Sequence, residues 1–335
     1  MAAALTILLT SARVAPGLLS WQAWAALSAA ARVLASAEHP QAESLAEAGV
    51  AVQLVAAPAY CGDPAEHAAL ARFLAGAATA DPGGPVVWLA PAGSDATPEL
   101  LGALVGAGLD VQVMHGSRDL PGAHLLDVVE VMDTLRTSCP WDRRQTHASL
   151  APHLLEEPYE ALEALENGDD HALREELGDV LLQVVFHARI AAERPREDGG
   201  YDIDDIADTL VAKLVRRHPH VFADVSVSSA EDVNRNWDEI KKAERAGKDP
   251  DGHPSVFDGV VFSQPALSLA AQLLRRAERA GFPAGDRPAS DESLGDQLLE
   301  LAARARVAGL DPETELRAAA RRLVGRVRDW ELRQA

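Results

Sequence analysis

Charged side chains are placed unevenly along this chain, and their placement constrains the fold more than any single motif. Only 14 Asp, Glu, Lys and Arg residues fall in residues 1–120, against 68 in residues 121–335. The first stretch is rich in Ala, Gly and Val, and the second reads as charged amphipathic helix. Such a shift marks a domain boundary, here near Gly116–His124. A second break is expected at the charged, Gly/Pro-rich segment Gly247–Pro254. The expected division is therefore 1–120, 121–250 and 255–335, in a chain long enough to bury a sizeable core.

In the first part, short apolar runs at Leu5–Leu9, Val52–Ala56, Val86–Ala90 and Val111–Met114 read as strands. They alternate with helical patterns at Trp24–Ala35, Gln41–Ala48, Ala65–Ala75 and Pro98–Val105. That alternation predicts a small parallel sheet flanked by helices, a small α/β region. Gly93 and Ser94 read as a turn, and no catalytic constellation is visible here. From Leu125 onward the pattern is helical, so the chain as a whole is predicted mainly α. Helices are expected at Leu125–Arg136, His153–Glu166, His171–Glu193, Ile203–Arg217 and Ser229–Ala246. Pro158 is expected to interrupt the second of these.

Composition excludes several classes. The net charge of -20 argues against a general nucleic-acid coat and for anionic ligands handled through metal ions. Two cysteines, Cys61 and Cys139, are too few for a disulfide scaffold or a four-cysteine zinc site. No run is long and apolar enough to span a bilayer. The N-terminus has no basic segment ahead of its short apolar run, so no secretory signal is expected and the expected location is cytoplasmic.

The most informative residues are carboxylates. Glu157 and Glu160 are three apart and share a helix face, and Glu176 and Asp179 repeat the relation on the next helix. The two pairs lie symmetrically about a turn centred near Gly168. An antiparallel hairpin brings them together as two facing pairs. One such pair is ordinary surface charge; two facing pairs repel and call for compensating cations. An oxygen-only donor set suits Mg²⁺, with Mn²⁺ as a substitute, and Mg²⁺ commonly bridges to substrate phosphates. Di-iron bundles use Glu-x-x-His motifs, and none occurs in this helical pair. Glu156 and Glu175 read as outer groups of the same site or as solvent-facing charge. Lys213 and Arg217, and Trp237 and Lys241, are each four apart, which suits phosphate binding and base stacking. The plainer reading of these four is surface charge and a packed ring. Trp141 is expected to plug the core and Cys139 to be a buried small side chain.

Cys139-Pro-Trp-Asp-Arg-Arg-Gln-Thr-His147, Leu154-Leu-Glu-Glu-Pro-Tyr-Glu160 and Glu175-Glu-Leu-Gly-Asp-Val-Leu-Leu-Gln-Val-Val-Phe186 together resemble the MazG family of nucleoside triphosphate pyrophosphohydrolases. Lys213-Leu-Val-Arg-Arg-His-Pro-His-Val-Phe222 and Asn236-Trp-Asp-Glu-Ile-Lys241 extend the resemblance, which covers about Leu125–Pro250. It implies an all-α, dimeric catalytic domain. It implies Mg²⁺-dependent hydrolysis of nucleoside triphosphates to monophosphates and pyrophosphate, often in a house-cleaning role. It assigns the metal ligands to Glu157, Glu160, Glu176 and Asp179, and the substrate pocket to Lys213, Arg217, Trp237 and Lys241. No stable nucleic-acid or membrane partner is expected. A non-catalytic nucleotide-binding scaffold is the alternative, motivated by Pro158 inside the ligand motif and by the missing second metal site.

Leu294-Gly-Asp-Gln-Leu-Leu299 echoes Leu177-Gly-Asp-Val-Leu-Leu182, but Ser293 stands where the first copy has Glu176. Residues 255–335 are therefore read as a degenerate second helical copy without a complete metal site. The N-terminal region resembles the end of a tetrapyrrole-methylase-like domain without its glycine-rich cofactor features, so no methyltransferase activity is expected.

Overall fold

The computed structural model describes residues 3–36, 38–57, 64–80, 84–223, 229, 232–233, 236–237, 240, 255–283 and 293–334. It divides into two compact units, Met1–Thr209 and Leu210–Ala335.

The first unit opens with an α/β layer. Strands β1 (Ala3–Leu9), β2 (Arg32–Ser36), β3 (Val52–Val55), β4 (Val86–Leu89) and β5 (Leu109–His115) form one sheet in the order β3-β2-β4-β1-β5. Every pairing is parallel. Helices α1 (Trp21–Ala29), α2 (Gln41–Glu47), α3 (Pro64–Thr79) and α4 (Pro98–Gly106) connect the strands. Parallel strands covered on both faces read as continuous apolar runs, and β4 is an example: Val86 and Trp88 pack with Leu70 and Leu104, while Val87 and Leu89 pack with Leu27 and Leu45.

The helical pattern expected over Trp24–Ala35 is split. Helix α1 ends at Ala29, and Val33, Leu34 and Ala35 lie buried in β2, between β3 and β4. A short apolar run looks the same in a buried strand and in a buried helix, so periodicity misplaces it.

Three helices complete this unit: α5 (His124–Ser138), α6 (His147–Asn167) and α7 (Asp170–Ala191). Met132, Leu150, Val185 and Phe186 form their core. Arg13, following β1, bonds Asp119 at 2.5 Å and Asp127 at 2.7 and 2.5 Å, tying the α/β layer to the start of α5. Helix α8 (Ile203–Arg217) contains the boundary between the units.

The second unit includes α9 (Pro219–Phe222), α10 (Ala266–Arg279), α11 (Leu294–Val307) and α12 (Pro312–Gln334). Leu274, Ala302 and Ala303 form its small core. The expected helix Ser229–Ala246 and the segment Gly247–Pro254 fall mostly outside the described residues; Ser229 Oγ does accept from the Asp232 amide at 3.1 Å, as a cap would. No helix among the described residues is long and apolar enough to cross a membrane.

Candidate metal centre

The hairpin that carries the carboxylates is built from local signals. Thr146 caps α6 by accepting from the Ser149 amide, and Ser149 returns the bond. Gly168 ends α6 at φ 68°, a left-handed conformation that glycine adopts without a Cβ penalty. Asp169 then caps α7 by accepting from the amides of His171 and Ala172. The turn therefore reverses the chain within two residues, Gly168 and Asp169.

The helix expected over His153–Glu166 forms, and the hydrogen bond lost at Pro158 does not end it. Helix α6 runs through both Pro152 and Pro158. Each proline removes one backbone donor, but burial of Leu150, Ala161 and Ala164 along the same helix holds the turns together.

Glu157 and Glu160 therefore stay on one helix and face α7. One oxygen each from Glu157, Glu176 and Asp179 lies within 4.8 Å of the other two. Glu160 lies outside that trio, but its charge acts on both Glu157 and Glu176. Burial, then the charges of Asp179, Glu160 and Glu156, push the Glu157 carboxyl up. Burial, then Glu160, Asp179 and Glu157, do the same to Glu176. Among the like charges, Asp179 acts most strongly on Glu157 and Glu160 on Glu176. Repulsion among crowded carboxylates is what a hard divalent cation relieves, so the oxygen-only donor set fits Mg²⁺ or Mn²⁺.

Glu156 and Glu175 are exposed, each beside a histidine of its own helix: His153 at 3.5 Å and His171 at 3.4 Å. Lys213 and Arg217 are half-buried on α8. Trp237 packs its ring 6.3 Å from His218, the residue after that helix, and Lys241 lies outside the described residues. Trp141 is not a core plug: it is 54% exposed and rests on His153 and Phe186, each 6.4 Å away. Cys139 is half-exposed rather than buried. Sequence reasoning passed over Gln183, buried four residues after Asp179, whose Nε2 donates to Glu157 Oε1 at 3.5 Å. A polar residue on the apolar stripe of a ligand helix was the signal for it.

Residues 145–222 match the model of the MazG nucleotide pyrophosphohydrolase domain. A nucleoside triphosphate pyrophosphohydrolase/pyrophosphatase MazG of Thermotoga maritima is 39% identical over 61% of this chain and 84% of its own length. The chain belongs to the MazG family. An uncharacterised 26.1 kDa protein of Streptomyces cacaoi is 50% identical over 66% of this chain and 90% of its own. A nucleoside triphosphate pyrophosphohydrolase of Mycolicibacterium smegmatis is 45% identical over 63% of this chain, but the alignment spans only 60% of that relative. Within this MazG chain the family match contains all four clustered carboxylates, together with Lys213 and Arg217.

Proposed function

We propose that the segment 121–250 hydrolyses nucleoside triphosphates to monophosphates and pyrophosphate with Mg²⁺, or Mn²⁺ in its place. The observation that carries this reading is the convergence of Glu157, Glu176 and Asp179 within 4.8 Å on two antiparallel helices of a MazG domain. Glu157, Glu160, Glu176 and Asp179 would hold the metal, which would supply charge neutralisation for the phosphates and a more acidic water as nucleophile. The carboxylates supply fixed negative charge at one end of the substrate's polyphosphate. Lys213, Arg217 and Lys241 supply positive charge to it, and Trp237 supplies a ring for the base. Glu156 and Glu175 add negative charge around the ligand set. The protein acts as a homodimer in the cytoplasm, in nucleotide-pool house-cleaning, without a stable nucleic-acid or membrane partner. Residues 1–120 and 255–335 flank the catalytic segment as separate domains, the latter a degenerate copy.

One of the two motives for the scaffold alternative weakens, because α6 continues through Pro158 and Glu157 lies beside Glu176 and Asp179 of α7. The purified chain, given Mg²⁺ and a panel of nucleoside triphosphates, is expected to release pyrophosphate and not orthophosphate. Glu176→Ala is expected to abolish release while leaving the helical circular dichroism intact. Absence of turnover with every nucleotide, in both Mg²⁺ and Mn²⁺, overturns the enzymatic reading.

A further inference from the structure

Two buried polar atoms behind the carboxylate cluster have no hydrogen-bond partner: Oε1 of Gln183 and Nε2 of His187. A buried unsatisfied polar group costs about 1–3 kcal/mol, so two on one helix call for an explanation. Both side chains belong to α7, four residues apart, and so lie one above the other on the same face.

Their chemistry is complementary. A carboxylate only accepts, so the Gln183 amide presents its nitrogen to Glu157 and keeps its oxygen as the open acceptor. On the other side, the Nδ1 atoms of His147 and His187 approach to 2.7 Å, with rings stacked at 5.0 Å and 2° from parallel. One of those nitrogens must donate and the other accept. If His147 donates, His187 carries its own proton on Nε2 and becomes the donor that Gln183 lacks. Burial, then the charge of His147, hold His187 toward the neutral form that this arrangement needs.

We propose that His147, His187 and Gln183 form a buried polar relay that positions Glu157 as a metal ligand. His147 Nδ1–H donates to His187 Nδ1, His187 Nε2–H donates to Gln183 Oε1 through one bridging water, and Gln183 Nε2–H donates to Glu157. The relay anchors the ligand on α6 to the first turn of its own helix by way of α7. None of the three touches substrate; they are positioning residues, and the relay rests on the reading of Glu157 as a ligand. Groups that orient metal ligands typically change metal affinity about 10–100-fold when removed.

The test is Mn²⁺ binding to the full chain without nucleotide, followed by the electron paramagnetic resonance of free Mn²⁺. Glu157→Gln is expected to lose the site. Gln183→Met, close in volume and unable to donate, is expected to weaken binding about 10-fold. His187→Leu should weaken it in the same direction, and the double variant should bind no more weakly than Gln183→Met, because His187 acts only through Gln183. Metal-free melting curves establish that each variant folds; if Gln183→Met does not, His187→Leu decides. Unchanged Mn²⁺ affinity in the folded relay variants, or additive losses in the double variant, overturns the relay while loss of binding in Glu157→Gln keeps the metal site. Mn²⁺ binding by Glu157→Gln equal to that of the wild type removes the metal-ligand reading itself, and the relay with it.

Discussion

Arg136 on α5 grips both carboxylate oxygens of Glu193, at 2.7 and 2.9 Å, just beyond the end of α7. Its remaining nitrogen donates to the backbone carbonyls of Asp142 and, at 3.0 Å, Gln145. One guanidinium, 9% exposed, thus fastens the turn Asp142–Arg144 and the far end of a ligand helix to α5. Glu193 is itself well exposed, so solvent screens the ion pair and most of the stability lies in the two carbonyl bonds. Arg136→Met is expected to cost roughly 2 kcal/mol, because it leaves the Gln145 carbonyl without a donor and the Asp142 carbonyl with the Gln145 amide alone. Arg136→Lys should recover little, since an ammonium cannot match the planar fork. Urea unfolding followed by circular dichroism measures both; a loss near zero for Arg136→Met would show that the carbonyls find other donors.

A second prediction concerns pH. His39 is buried beside the sheet, its Nε2 2.9 Å from the Ala90 carbonyl and its Nδ1 accepting from the Gln41 amide at 3.2 Å. Burial lowers its pKa, against the opposing effect of the Ala90 bond. The unfolded chain therefore binds a proton that the folded chain refuses, over a window starting near the ordinary histidine value of about 6.5 and extending below it. Stability contributed by neutral His39 is present above that window and falls as the pH drops through it, levelling off below the folded pKa. His187 shifts in the same direction and adds to the slope. His39→Gln should flatten the dependence of the urea midpoint between about pH 5 and 7. A slope equal to the wild type's would show that His39 titrates normally in the fold.

The hairpin, its turn and the facing of its two carboxylate pairs were legible because each rests on local spacing. Glu157 and Glu160 are three positions apart, as are Glu176 and Asp179, and Asn167-Gly-Asp169 can do little but turn. Strand β2 was not legible, because its identity depends on neighbours β3 and β4 that local pattern cannot see. The relay side chains were hidden for a related reason: Gln183 and His147 are far apart in sequence and connect only once α6 lies against α7. Arg136 reads as a surface charge until its partners, Glu193 and the Asp142–Arg144 turn, fold back onto it.

Pro158 yields a third prediction. It sits on the exposed side of a helix that continues past it, at the cost of one backbone donor and of crowding the Leu154 carbonyl. Proline in a helix interior is about 3 kcal/mol less favourable than alanine. Pro158→Ala should therefore stabilise the metal-free protein by roughly 1–3 kcal/mol. Thermal and urea unfolding test this; a destabilised variant would mean that the packing of α6 on α7 depends on the proline at this position.

The last prediction addresses residues 255–335, proposed above as a degenerate copy. Ser293 aligns with Glu176, yet the two occupy different structural positions. Glu176 lies well inside α7, which begins at Asp170, whereas Ser293 is the cap of α11, which begins at Leu294. Its Oγ accepts from the Asp296 amide at 3.1 Å and donates to the Asp296 carboxylate at 2.5 Å. The serine is therefore doing a different job: it ends the helix where the first copy continues it, and it occupies the carboxylate that would correspond to Asp179. Ser293→Ala is expected to cost about 1 kcal/mol through loss of the cap. Ser293→Glu restores the carboxylate of the first copy in sequence but places it at a helix start, so it should lower stability and leave the number of bound Mn²⁺ ions unchanged. Binding of an additional Mn²⁺ by Ser293→Glu would show instead that the second copy keeps a metal-site geometry and lacks only one ligand.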